Sequence, residues 1–131
     1  MEERPAVVRA TALILGLAAP AALACELSGG PVEKLQSAAY TILYRAAPAL
    51  RAGEHFALEL AVCPAPSELR VDAWMPDHRH GMNYRPSLKA LGGGRYRTEG
   101  LLFHMPGRWE FLFELRGSGG TERFAHAVRV E

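Results

Sequence analysis

The strongest constraint on the fold of this chain is an alternation of apolar and polar residues near its C-terminal end. The apolar positions are Trp109, Phe111, Phe113 and Leu115, and between them stand Glu110, Glu114 and, after Leu115, Arg116. Successive side chains of a strand point to opposite faces, so this pattern predicts a β-strand with one buried and one exposed face. No helical period is present after the first 24 residues, so the chain is predicted to be all-β. The same two-residue period recurs at 40–45, 55–62, 69–75 and 123–130.

Turn-forming residues separate these strand candidates at regular intervals. Gly92-Gly93-Gly94, Pro106-Gly107 and Gly117–Gly120 each mark a turn, and Gly100 interrupts the segment 95–105 in a way that is typical of a β-bulge. About seven short strands result, with turn signals roughly every eight to twelve residues, which is the pattern of an immunoglobulin-like β-sandwich. A chain of 131 residues is long enough for one such domain.

The first 24 residues have the features of an export signal. Arg4 and Arg9 flank its start, Ala10 to Ala19 is an apolar run, and Ala22-Leu23-Ala24 supplies the small residues of a cleavage site. The run is shorter than the roughly 20 residues that a membrane-spanning helix needs. We therefore predict a signal peptide over residues 1–24 and an exported, periplasmic protein with no transmembrane span in its mature chain.

Cys25, where the mature chain would begin, and Cys63 are the only cysteines. An even number of cysteines in a small exported domain predicts a disulfide bond. The alternative is that Cys25 carries a lipid anchor, because Ala-Leu-Ala-Cys resembles a lipobox, and this would leave Cys63 unpaired. Residues 25–38 are predominantly polar and predict an extended lead-in, which the sandwich domain follows at 39–131.

Methionine and histidine are concentrated in two short segments that proline and glycine keep irregular. The first runs from Met75 to Met82, and the second is His104-Met105. Thioether sulfur and imidazole nitrogen suit copper, above all Cu(I), whereas zinc prefers histidine, cysteine and carboxylate. We expect two loops at one end of the sandwich to bring these side chains together as a copper site. The candidate ligands are Met75, His78, His80, Met82, His104 and Met105.

The same residues also permit a purely structural interpretation. Met75 and Met105 each continue the inward face of a strand candidate and would fit the core, while His78 and His80 would fit a solvated loop. The predicted function is copper binding or copper delivery, and the alternative is a non-metal interaction domain in which these loops are structural. The two histidines on strand candidates are predicted to be structural: His55 and His126.

Charge and motifs argue against other functions. A net charge of +1 provides no electrostatic footprint for nucleic acid. No Gly-x-Ser-x-Gly stretch, P-loop or His-Glu-x-x-His motif is present, and Ser67 and Ser87 have no neighbouring base in the sequence. We therefore predict no catalytic residues and no enzymatic activity.

Three pieces of the chain resemble a known family when they are taken together. They are Met75-Pro76-Asp77-His78-Arg79-His80-Gly81-Met82, Gly94-Arg95-Tyr96 and Phe103-His104-Met105-Pro106-Gly107-Arg108-Trp109. Over residues 54–116 the pattern is similar to that of the YtkA-like, FixH-type family of exported bacterial domains. The resemblance implies an immunoglobulin-like sandwich and an association with copper handling. It also implies a copper-accepting or cytochrome oxidase assembly protein as partner. FixH-type members usually carry a membrane-anchoring helix, whereas this chain has only the signal-like segment.

Overall fold

The computed structural model describes residues 25–131, so the predicted signal peptide lies outside the described residues. Within them the chain forms strands and no helix, as the sequence predicts. In chain order the strands are β1 Glu33–Gln36, β2 Thr41–Ala47, β3 His55–Cys63, β4 Glu68–Met75, β5 His80–Gly81, β6 Ser87–Gly92, β7 Arg95–Leu102, β8 Gly107–Gly117 and β9 Gly120–Val130.

These strands form two antiparallel sheets that pack face to face. One sheet has the order β1-β2-β3-β7-β6, and the other has the order β5-β4-β8-β9. β8 lies inside its sheet, pairing with β4 from Arg116 opposite Glu68 to Glu110 opposite Trp74, and with β9 along its whole length. The fold is therefore the predicted sandwich of immunoglobulin-like type.

The alternation in the sequence is reproduced as burial in the structure. Trp109, Phe111 and Leu115 are fully buried and Phe113 is 1% exposed, because β8 directs these side chains towards the other sheet. Burying a large apolar side chain contributes about 1.5–3 kcal/mol relative to leaving it in water, so this layer provides much of the stability. The fully buried apolar side chains that face it from the other sheet are Ile42, Leu58, Leu60, Val62 and Leu101.

The sequence pattern divides the segment 95–105 at Gly100, but in the structure β7 runs through Gly100 as one strand with a shift in its pairing register. Gly100 has a φ of 79°, which favours glycine. Opposite it, the register of β3 shifts between Phe56, which pairs with Leu101, and Leu58, which pairs with Thr98. Glu99 and Gly100 of β7 thus lie opposite the single residue Ala57 of β3, and the predicted bulge is confirmed.

Two strands, β1 and β5, were not predicted from the sequence. β1 lies inside the predicted lead-in and pairs with β2, so the extended lead-in is part of the sheet. Its side chains are mostly exposed, and an exposed edge strand has no apolar alternation to detect. β5 has two residues and is held only by its pairing with Trp74 and Met75, so it is too short for any periodic signal.

Cys25 and Cys63 form the predicted disulfide, with Cα atoms 5.7 Å apart. The bond ties the first described residue to the end of β3. A lipid anchor would need the sulfur of Cys25, which the disulfide occupies. Residues 25–131 contain no helix that is long and apolar enough to cross a membrane.

Candidate functional site

The first of the two methionine- and histidine-rich segments is a tight hairpin between β4 and β5. Met75 ends β4, and its carbonyl accepts a hydrogen bond from the backbone N–H of His78 at 3.3 Å. Arg79 turns the chain with a φ of 53°. His80 then pairs with Met75 across the hairpin. His80 therefore begins a strand instead of lying in an open loop, and it shares the inward side of the hairpin with Met75.

The second segment connects β7 to β8. β7 ends at Leu102, and Phe103 turns its ring into the core, where it is fully buried. The carbonyl of Phe103 accepts a hydrogen bond of 2.8 Å from the N–H of Gly53. The indole Nε1–H of Trp109 donates to the carbonyl of Met105 at 3.0 Å. These two bonds hold the short loop against the end of the sandwich.

The two segments meet through the imidazoles of His80 and His104. The ring centroids of His80 and His104 are 5.1 Å apart, although these residues lie on different connections of the fold. His78 extends the row, with its ring centroid 5.6 Å from that of His80. Under this row lies Trp109, whose ring centroid is 5.9 Å from His80 and 5.4 Å from His104.

The imidazoles differ in exposure. His78 and His104 are exposed to solvent, and His80 is half-buried between them and the indole of Trp109. Nδ1 of His80 lies 3.1 Å from the carbonyl oxygen of its neighbour Gly81, a contact that allows Nδ1–H to donate there and leaves Nε2 as the free ligand nitrogen.

The three candidate methionines divide into one interior and two peripheral side chains. Met75 is 1% exposed and belongs to the core. Its terminal methyl carbon lies only 2.7 Å from where a Cβ at position 107 would stand, so it packs directly on Gly107. Met82 and Met105 are half-buried and pack against the edge of the core. Burial thus separates Met75 from the other two thioethers.

The spacing of the two inner imidazoles fits a shared ion. Two histidines that bind one tetrahedral metal at the usual 2.0–2.1 Å have ring centroids about 5 Å apart, and the 5.1 Å between His80 and His104 matches this. Among residues 25–131, no group of three or more His, Cys, Asp or Glu side chains is arranged to hold a metal ion.

The remaining two histidines, His55 and His126, each contact a tyrosine. Nδ1 of His126 forms a short hydrogen bond with the hydroxyl of Tyr44, which joins β9 to β2 across the two sheets. Burial raises the pKa of the Tyr44 hydroxyl, and the charge of Glu33 raises it further, so the group stays protonated as a donor. The ring of His55 packs edge-on against Tyr84 at 5.5 Å.

A groove of about 480 Å³ adjoins the candidate site. It runs beside the part of β4 that β5 does not cover, and Met82 lines it together with Tyr84 and Leu88. The side chain of Met82, one of the two peripheral thioethers, is thus reachable from this groove.

The sequence did not reveal one contact of this region, that between the indole of Trp109 and the rings of His80 and His104. The alternation in β8 identifies Trp109 as a core residue, but does not show that it also touches two candidate ligands. A tryptophan two residues after Pro106-Gly107 and close to His104 was the available signal.

No known protein family, curated protein or solved structure matches this chain.

Proposed function

We propose that this protein binds copper at the rim of its sandwich. The ligands are the imidazoles of His80 and His104, with thioether sulfur from Met105 and Met82. One observation carries the proposal, namely the 5.1 Å separation of two imidazoles that come from different connections of the fold. Met75 is left out of the ligand set because its side chain is sealed in the core.

The chemistry of the donors favours Cu(I) over other metals. Both cysteines are joined in the disulfide, so no thiolate is free among residues 25–131 to attract zinc or iron. Thioethers are soft ligands and do not form disulfides, so they retain their affinity for copper in an oxidising space. Imidazole binds both oxidation states, which allows the ion to be held as Cu(II) as well.

The proposed setting is the periplasm, and the proposed role is to hold copper for delivery. A disulfide in a small domain is typical of exported proteins, which supports this compartment. The exposed position of His78 and His104 leaves the site accessible to an acceptor. The resemblance to the YtkA-like, FixH-type family suggests a copper-accepting or cytochrome oxidase assembly protein as that acceptor.

The test is a titration of the apo protein with Cu(I) against a chromophoric chelator. We expect the protein to withdraw one equivalent of Cu(I) from the chelator. Replacing Met82 and Met105 by leucine keeps their volume and removes both sulfurs, so it should weaken binding at little cost in stability. Met75→Leu is the matched control and should bind Cu(I) like the unmodified protein. If equimolar protein withdraws no copper, the proposal is wrong.

A second candidate function is a non-metal interaction domain. The burial of Met75 and the packing of Met82 and Met105 against the core favour it, because these side chains then have a structural purpose without any ion. In this case His78→Ala combined with His80→Ala leaves stability and partner binding unchanged. The copper titration of that variant separates the two functions, because only the copper proposal predicts a weaker complex.

A further inference from the structure

We propose that the groove beside β4 binds an extended, acidic peptide segment of a partner protein, which joins the β5-β4-β8-β9 sheet as an added strand. The groove has a volume of about 480 Å³. One wall is the edge of β4 from Leu69 to Asp72, and the other is the segment from Met82 to Leu88. This inference goes beyond copper binding, because it concerns the recognition of a protein segment and needs no ion.

The edge of β4 that faces the groove carries unpaired backbone groups. β5 pairs with β4 only at Trp74 and Met75, and no other strand within residues 25–131 pairs with this side of β4. In an antiparallel ladder the N–H and C=O of one residue point to the same side, and successive residues alternate between the two sides. The carbonyl of Met75 accepts its hydrogen bond from His78 in the hairpin that leads to β5. By this alternation the backbone groups of Leu69 and Val71 also point to the groove side.

These groups define the conformation of the occupant. The N–H of Ala73, which lies on the same edge, donates to the Oδ1 atom of Asp72 at 2.8 Å, so the chain itself satisfies that donor. Leu69 and Val71 face the groove instead. A row of N–H and C=O groups on a sheet edge is a template for another extended chain. Main-chain bonds to such an added strand provide affinity, and the pockets for its alternate side chains provide specificity.

The walls of the groove suit apolar side chains at every second position of the segment. Tyr84 and Leu88 are 49% and 38% exposed, which is unusual for large apolar residues, and both line the groove. Met82 lines it as well. Because successive side chains of a strand point to opposite faces, an added strand directs alternate residues towards this wall and the others towards solvent.

Arg85 gives the groove its preference for an acidic segment. It is exposed in the wall and forms no ion pair among residues 25–131. The other charged side chains of the groove are engaged, since Arg70 pairs with Glu68 at 3.0 Å and Asp72 accepts from the backbone. A carboxylate on the incoming segment is therefore the charge that complements the free guanidinium.

The first test uses a short synthetic peptide, blocked at both ends, in which valine alternates with threonine and glutamate. We expect it to bind the metal-free protein with a Kd of about 1 mM or lower, measured by NMR titration. The backbone N–H groups of Leu69 and Val71 should shift and become protected from hydrogen exchange. The N–H of Arg70, which by the alternation points to β8, is the internal control. Absence of binding, or binding that leaves these two N–H groups unprotected, overturns the inference.

Methylation of the peptide backbone tests the added strand directly. A residue opposite Val71 in the ladder points its side chain the same way and exchanges both backbone hydrogen bonds with it. The inward-facing valines therefore donate their N–H groups to β4, and the threonines do not. N-methylvaline should abolish binding, whereas N-methylthreonine should weaken it by less than about threefold. Equal affinities of the two methylated peptides would show that the groove binds side chains alone, and the added strand would be wrong.

A charge reversal tests the acidic character of the segment. Arg85→Glu should weaken binding of the glutamate peptide by about three- to tenfold and strengthen binding of a peptide with lysine in place of glutamate. Arg51→Glu is the matched control, because Arg51 is also exposed but lines a different groove, and it should change neither affinity. An unchanged preference in Arg85→Glu overturns the assignment of an acidic partner. All of these measurements use metal-free protein, so their outcome is independent of the copper titration.

Discussion

Two layers of side chains at the same end of the sandwich differ in what surrounds them. The inner layer consists of Met75, Phe103 and Trp109, which are at most 1% exposed and pack on one another and on the core. The rim layer consists of His78, His80 and His104, which are exposed or half-buried and lie in a row above the inner layer. The two layers are in contact through Trp109.

Adjacent residues of one motif differ in burial at this end of the sandwich. Phe103 and His104 are neighbours in the chain, yet the first is fully buried and the second is exposed. Met75 and His80 pair across one hairpin, yet only His80 reaches the rim. The chemical type of a residue is therefore insufficient to identify a ligand, and burial decides which donors remain free. Stability should depend on the inner layer and metal affinity on the rim.

Met75→Ala should have the largest effect on stability. Truncating a fully buried methionine leaves a cavity beside Gly107 and should cost about 2–5 kcal/mol of the free energy of unfolding, measured by urea denaturation. The Cu(I) stoichiometry of the folded fraction should not change. Met105→Ala is the matched control, and its loss should be smaller because the side chain is half-buried. Equal losses in the two variants would contradict the division into layers.

Gly107→Ala tests whether the inner layer depends on the backbone conformation of Gly107 and on its close contact with Met75. The φ of Gly107 is 131°, a conformation that residues with a Cβ rarely adopt, and the new Cβ would lie 2.7 Å from the methyl carbon of Met75. The strained backbone should cost about 1–3 kcal/mol, measured by the same denaturation. Gly119→Ala is a suitable control, because nothing lies within 4 Å of its Cβ position and no positive φ applies.

Variants of the rim layer are expected to change stability little and the affinity for Cu(I) strongly. His80→Ala with His104→Ala should change the free energy of unfolding by no more than about 0.5 kcal/mol, because neither side chain is fully buried. The affinity for Cu(I) should fall at least about ten- to hundredfold, since removing ligands costs no less than removing their supporting partners. His55→Ala is the control in the chelator titration. A double variant that keeps its affinity would place the copper, if any, elsewhere.

Much of the fold was predictable because burial on one face of a strand leaves a two-residue period. The strands that carry this period, such as β3, β4 and β8, were located from the sequence, and the bulge at Gly100 was indicated by its missing side chain. β1 was missed because both of its faces are polar or exposed. Pairing order could not be read from any local pattern, because it depends on contacts between distant parts of the chain.

The residues of the candidate site were chosen from the sequence, but their arrangement could not be predicted from it. The sequence placed histidine and methionine in two segments, and the structure brings His80 and His104 together. The sequence could not decide whether Met75 and Met105 belong to the core, because both continue the inward face of a strand candidate. The structure buries Met75 and leaves Met105 half-buried. Three-dimensional packing makes that distinction.

His78→Ala should have the smallest effect on the affinity for Cu(I), and it tests whether His78 is one of the ligands. His78 is exposed, and its ring is near that of His80, at 5.6 Å, and not part of the inner pair. Its loss is therefore expected to change the rates of copper entry and release more than the affinity for Cu(I), which should fall by about threefold or less, with no measurable change in stability. Competition with the chelator gives the affinity, and stopped-flow transfer to the chelator gives the release rate. A loss as large as that for the double variant of His80 and His104 would make His78 a ligand and extend the site along the whole row.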